Sequence, residues 1–233
     1  MIKKVLVRNG KKFYWKEGDS QNQFGVVNEA DIKKAKGRVQ SHTGNDFFIY
    51  DANFLDQLKK IKRGPQTLVL KDLGYILIHS GVDKNSLVVD AGAGCGVLAC
   101  VMGRYAKKVV SYEMRKDHLK IAKKNIKFLD AKNVSLKEKD VYEGIDEKNV
   151  DALTLDLPEP WKVDFSCLKN GGTFVVYVPT IKQVMDFTER VEGVYVDKVV
   201  ELIEREWFFQ GRKVRPKSDM LGHTAFLVVG RKI

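Results

Sequence analysis

The residues able to do chemistry stand at the ends of four short apolar runs. The first run, Leu87-Val88-Val89, ends in Asp90 and opens into Ala91-Gly92-Ala93-Gly94-Cys95-Gly96. Glycines at alternate positions allow left-handed backbone and let a ligand approach the chain closely. The helix expected behind them offers free N–H groups at its N-terminus. The spacing is GxGxG, not the GxGxxG of a dinucleotide loop. An acid at the strand end suits an amino-acid moiety, with Asp90 accepting from its ammonium group directly or through water. The second run, Val109-Val110-Ser111-Tyr112, ends at Glu113, 21 residues after Gly92. An acid at about that offset accepts from both hydroxyls of a ribose. After the third run, Val134 to Lys137, Asp140 is placed to accept from an adenine amino group or to stand solvated in the local charge run. The fourth, Leu153-Thr154-Leu155, leads into Asp156-Leu157-Pro158-Glu159-Pro160-Trp161. Ligands of open α/β sheets lie outside the carboxyl ends of the strands, which sets Asp156 beside this one. Pro158 and Pro160 keep the loop extended, and Trp161 offers a flat face either to a base or to the core. Acceptors for an amino acid, a ribose and an adenine together describe an S-adenosyl-L-methionine site.

Positioning these acids requires strands separated by helices. Helical spacing is expected over Asp72–Ser80, Gly96–Tyr105, Lys116–Leu129 and Ile181–Val191. Strands are expected at Ser86–Asp90, Lys108–Tyr112, Val134–Lys137, Val150–Leu155, Gly172–Val178 and Tyr195–Leu202, with a closing pair at Arg212–Pro216 and Thr224–Arg231. Strands alternating with helices imply right-handed βαβ units and a mostly parallel sheet. The first 55 residues differ: short strands at Lys4–Val7, Lys11–Trp15 and Phe47–Tyr50, with the turn dipeptide Asn9-Gly10, predict a small β-rich domain. Asn53 to Lys62 has helical spacing and would link it to a catalytic domain over 56–233.

Composition bounds the rest. The 233 residues carry 41 Lys and Arg against 30 Asp and Glu, a formal net charge of +11. Such a surplus favours a polyanionic partner, nucleic acid before membrane. No apolar window of about 18 residues is present, which excludes a membrane-spanning helix. The first residues lack a secretory pattern, so the cytoplasm is the expected compartment. Cys95, Cys100 and Cys167 form no CxxC pair and no zinc-like spacing with histidine; they read as free buried thiols, with no metal expected.

The chain resembles the tRNA adenine-58 N1-methyltransferase family, in its archaeal and bacterial single-gene type. The resemblance runs from Arg63 to Lys232. It is carried by Arg63-Gly64-Pro65-Gln66 with Lys71-Asp72, by Asp90 to Gly96, and by Ser111-Tyr112-Glu113 with Arg115 and His118. Leu155-Asp156-Leu157 with Glu159-Pro160-Trp161, Val176-Tyr177-Val178-Pro179 before Gln183-Val184, and Gly222-His223-Thr224-Ala225-Phe226-Leu227 complete it. The last two acidic and histidine runs are far more specific than the glycine loop. The resemblance implies a Rossmann-like class I methyltransferase sheet with a small N-terminal β domain, S-adenosyl-L-methionine as cofactor, tRNA as partner and a homotetramer. It implies that Gln66, Asp90, Gly92, Ala93, Gly94, Gly96, Val97, Glu113, Met114, His118, Asp140, Val141 and Asp156 hold the cofactor. Asp156 is also the expected catalytic acceptor, pinning the adenine amino group, while Trp161, Tyr177 and Arg215 would face the RNA. His223 is expected to be structural. Relatives carry Tyr-Pro before Lys-Asp; here Val69 and Leu70 stand there, so a tyrosine that frames the base is missing from that place. Pro158 likewise replaces an apolar residue. The competing readings are a methyltransferase acting on a protein carboxyl group or small molecule, and a non-catalytic RNA-binding subunit, which would be expected to lose the glycine loop or its acids.

Overall fold

The structure is a computed structural model that describes residues 1–64 and 67–233. The chain divides into two compact units, Met1–Ile61 and Lys62–Ile233.

In the first unit, strands β1 (Lys4–Arg8), β2 (Lys11–Trp15), β5 (Gly37–Gln40) and β6 (Asp46–Asp51) form an antiparallel sheet in the order β2-β1-β6-β5. Between them lie the small hairpin of β3 (Ser20–Asn22) and β4 (Gly25–Val27) and the helix α1 (Glu29–Lys34). Asn9 and Gly10 both take positive φ, as the tight turn between β1 and β2 requires. Alternation along the strands buries one face: Leu6, Trp15, Val39, Phe47 and Ile49 meet Val27 and Ile32. Phe13, Phe24 and Phe47 pack edge to face around that core.

The boundary expected after residue 55 falls at 61 instead. The cause is helix α2 (Phe54–Leu58), capped by reciprocal bonds between Asn53 and Asp56. It belongs to the first unit because the buried Gln57 amide bonds both the N–H and the carbonyl of Ile2, at 2.7 and 2.6 Å.

The second unit is built on a seven-stranded sheet. Its elements in chain order are α3 (Leu70–His79), β7 (Leu87–Ala91), α4 (Val97–Met102), β8 (Lys108–Glu113), α5 (Lys116–Leu129), β9 (Val134–Glu138), β10 (Val150–Leu155), β11 (Leu168–Val178), α6 (Ile181–Arg190), β12 (Val194–Glu201), β13 (Trp207–Gln210), β14 (Lys213–Pro216) and β15 (Phe226–Lys232). The sheet order is β12-β15-β11-β10-β7-β8-β9. All neighbours from β9 to β11 are parallel; β15 is antiparallel to both β11 and β12. The inner parallel strands β7, β8, β10 and β11 are buried on both faces, hence their near-continuous apolar runs, while the edge strand β9 is mostly not buried. The order reverses between β7 and β10, which opens a crevice at their carboxyl ends.

The expected closing pair of strands does not form. Lys213–Pro216 pairs with Trp207–Gln210, a strand the sequence did not suggest, around Gly211 at φ +56°. The last strand slots between β11 and β12, a placement set by long-range pairing. Among the described residues no helix is long and apolar enough to cross a membrane.

Candidate active site

The crevice at the β7–β10 reversal holds a cleft of about 530 Å³, lined by Gly64, Gly92, Gly94, Cys95, Glu113, Met114, Arg115, His118, Ile121, Asp156, Leu157 and Pro158. Its size is that of a small-molecule site. Three strand ends converge on it, those of β7, β8 and β10.

Asp90 sits behind the loop rather than on the cleft. Register places Ser111 and Thr154 directly beside it on the neighbouring strands. Their hydroxyls donate to its two oxygens at 2.6 and 2.8 Å, and the residue is 1% exposed. Burial, with the Glu113 charge added, raises its carboxyl to about 6 against those two bonds. A direct contact between Asp90 and an ammonium group is therefore corrected to a supporting role: the carboxylate joins three strands under the loop.

The loop itself follows from its glycines. Gly94 (φ +54°) has open space beside its Cα, and Gly96 (φ +77°) lies against Ala122 of α5, which a Cβ would approach at 3.2 Å. Ala93 is buried and donates to the Tyr112 carbonyl at 2.9 Å, while Val97 is the buried first residue of α4. The Asp156 N–H donates to the Ala91 carbonyl at 2.7 Å, which ties the end of β10 to the start of the loop.

Glu113 closes one wall. One carboxylate oxygen accepts from the Gly94 N–H at 3.0 Å and the other from the Arg115 N–H at 2.9 Å. His118 Nδ1 lies 3.4 Å from the same carboxylate, and its shielded Nε2 has no partner among the described residues. A carboxylate held by loop N–H groups, an orphaned ring nitrogen on the cleft wall and open space at Gly94 fit a nucleoside bearing an amino acid. Asp156 lines the cleft and is exposed there, with its carboxyl drawn partly out of bulk water by the cleft walls. That desolvation first, then the charges of Asp90 and Glu113, pushes its carboxyl up to about 7.

The comparisons with known proteins decide the family. The model of the family described as protein-L-isoaspartate(D-aspartate) O-methyltransferase matches residues 51–204, which leaves out most of the first unit and the strands after β12. A relative from Methanocaldococcus jannaschii, tRNA (adenine(57)-N(1)/adenine(58)-N(1))-methyltransferase TrmI, is 32% identical over 98% of this chain and 94% of its own. The chain belongs to the tRNA (adenine-58 N1)-methyltransferase family. It is thus an S-adenosylmethionine-dependent methyltransferase on a catalytic fold shared with the carboxyl methyltransferases. Among solved structures, the tRNA (m1A58) methyltransferase of Aquifex aeolicus superimposes with TM-score 0.84 at 26% identity, covering 99% of this chain and 96% of that one. A SAM-dependent O-methyltransferase of Thermotoga maritima gives 0.87 at 27%, covering 100% and 93%.

Within this family member, the cleft gathers Gly92, Gly94, Glu113, Met114, His118 and Asp156 of the residues expected from sequence. Gln66 lies outside the described residues. Asp140 caps the turn Val141–Glu143 by accepting from the Tyr142 N–H, and Val141 is core; neither lines the cleft. Trp161 is corrected to a packing residue, half-buried against the apolar core with the Arg190 guanidinium over its ring. Arg215 is on the β13–β14 hairpin, stacked on Phe208 and away from the cleft. Tyr177 is half-buried; its hydroxyl donates to the fully buried Asp72 at 3.2 Å, and the Asp156 charge acts on it. His223 bridges Glu201 and the Pro179 carbonyl.

One residue of consequence was not foreseen. Asn125 on α5 is 2% exposed, donates to the carbonyls of Lys62 and Cys95 at 2.7 and 2.8 Å, and accepts from the Lys62 N–H at 2.8 Å. It fastens the entering chain and the glycine loop to one helix. A lone Asn on the apolar face of α5 was the available signal. Asn125→Leu leaves the buried Cys95 carbonyl and two partly buried Lys62 groups unpaired and is expected to cost ~2 kcal/mol of stability in urea unfolding; a loss near zero would refute this role.

Proposed function

We propose that the protein methylates N1 of an adenine in the T-loop of tRNA, at position 58. The observation that carries this reading is the Asp156 carboxylate, set on the cleft by β10 and tied to the glycine loop through Ala91. Bound S-adenosyl-L-methionine supplies an electrophilic methyl group on a sulfonium. Glu113 accepts from the ribose hydroxyls, and the Gly92–Gly96 loop gives its backbone to the amino-acid end. Adenine N1 has a lone pair, so no proton need leave before attack, and the protein contributes mainly orientation. Asp156 accepts from the adenine N6 amino group, which pins the base and stabilises positive charge as it develops on the ring. N1 is a pairing atom, so the base must be turned out of its stack to reach the cleft. Tyr177, its hydroxyl held by Asp72, is a wall for that base. The basic balance of the chain suits the RNA backbone.

On this reading the partner is tRNA, the compartment the cytoplasm and the assembled form a homotetramer. Methylation of a protein carboxyl group is disfavoured by the site's charge. Such a nucleophile is an anion, and the Asp156 and Glu113 carboxylates that line the cleft stand against it. The test is incubation with labelled cofactor and separately with unmodified tRNA, an isoaspartyl peptide and buffer, followed by mapping of the modified nucleotide. Label at adenine 58 is expected, with or without adenine 57. Label on the peptide alone, or on RNA outside the T-loop, overturns the proposal.

A further inference from the structure

The face of the first unit's sheet opposite its core has a composition that the methyl-transfer site does not account for. Register aligns Lys12, Val7, Phe48 and Arg38 in one row across all four strands. The next row on that face holds Tyr14, Val5 and Tyr50. Phe48 is 61% exposed and Tyr50 39%. Cations stand beside the rings: the Arg38 guanidinium is 5.4 Å from the Phe48 centroid, Lys60 Nζ is 4.6 Å from that of Tyr14, and exposed Lys12 ends the Phe48 row.

The Phe48 row ends at a cavity of about 360 Å³ that also takes in Arg8, the Asn9-Gly10 turn and Asp46. In that cavity Arg8 donates to the Asp46 carbonyl at 2.6 Å, with its guanidinium over the core-side rings of Phe24 and Phe47. Asp46 is the one acid on the lining, against two arginines.

Phe48 and Tyr50 are exposed together on neighbouring rows of one sheet face, and a contiguous patch of rings rimmed by polar residues marks an interaction site where a single exposed ring does not. Two chemistries can cover it, an apolar partner or a stack of planar bases. Cations at each end of the aromatic row favour the second. Nucleobases stack on aromatic rings of a four-stranded sheet while Lys and Arg take the phosphates between them. An apolar protein partner would have to desolvate Lys12 and Arg38 without supplying anions.

We infer that this face is a second RNA contact, on which Phe48 stacks an unpaired nucleotide of the substrate while Arg38 and Lys12 hold the adjoining phosphates. The inference rests on the proposed RNA substrate and deepens it, since it places a binding determinant in the unit that carries no methyl-transfer chemistry.

The test uses the full chain and an unmodified tRNA transcript, with binding read by fluorescence anisotropy over a sodium chloride series. Phe48→Ala is expected to weaken RNA binding by ~10-fold or more, the scale of one lost base stack. Phe48→Trp is expected to restore it. Arg38→Gln is expected to lower the slope of log affinity against log salt by about 1. The cofactor dissociation constant and the rate at saturating RNA should stay at the wild-type level in each variant. If wild-type protein methylates tRNA and Phe48→Ala binds it equally well, this inference fails and the proposed function stands. If wild-type protein neither binds nor methylates tRNA, both fail. A change of mass in sedimentation equilibrium on Phe48→Ala would show the face covering another copy of the chain and also overturns it.

Discussion

Asp156→Ala is expected to lower the turnover of RNA methylation by ~10²–10³-fold, the effect of removing one preorganised charged acceptor from a transition state. Cofactor affinity should be nearly retained, because Glu113 and the glycine loop supply the contacts to the ribose and the amino-acid end. A rate close to wild type would remove Asp156 from the mechanism. The same carboxyl predicts a pH dependence. Its ordinary value is raised to about 7, first by burial and then by Asp90 and Glu113. Only the ionised form accepts from an amino group without surrendering an oxygen to its own proton. The specificity constant for RNA should therefore climb as pH rises toward 7 and level off above it. The limb should vanish in Asp156→Ala; a limb that persists, centred near 6, would assign the ionisation to Asp90. Stability runs the other way. A carboxyl that holds its proton more tightly in the folded state contributes stability at acid pH and loses it as pH rises through its folded value. The urea midpoint of the cofactor-free protein should fall between pH 5 and pH 8, and fall less in the variant.

Glu113→Ala should fail at a different step. Its carboxylate is already held by the Gly94 and Arg115 N–H groups, so it meets a ribose without reorganising. Removing it deletes both ribose acceptors and releases the loop that Gly94 anchors. Two hydrogen bonds to a charged group are together worth ~3–6 kcal/mol, so a loss of at least about 10²-fold in cofactor affinity is expected. Calorimetry with S-adenosylmethionine and S-adenosylhomocysteine should show the same loss for both, since the ribose is common to them. A loss confined to the sulfonium form would mean that Glu113 acts through charge on the methyl donor and not through the ribose. Asp156→Ala and Glu113→Ala thus separate catalysis from binding within one cleft.

Local pattern was enough to read much of this molecule from its sequence. Each acid at a strand end follows an apolar run directly, so strand, strand end and side chain could be located together, as at Asp90, Glu113 and Asp156. The glycine loop was legible for the same reason, since backbone freedom is a property of the residue type. Order and register were not legible, because pairing between strands is settled by contacts far apart in the chain. Ser111 and Thr154 read as ordinary strand residues until register set them beside Asp90 and turned that acid inward. Trp161 had two equal uses by sequence, and packing against the core with Arg190 over its ring chose between them. Asn125 holds Lys62 from 63 residues away, a bond no local pattern announces. The four-strand row through Phe48 likewise exists only once β5, β6, β1 and β2 have paired. The sequence by itself located the acids at the strand ends and the glycine loop between them; the tertiary structure decided which of them face the cleft, because only the pairing of distant strands gives each side chain its neighbours.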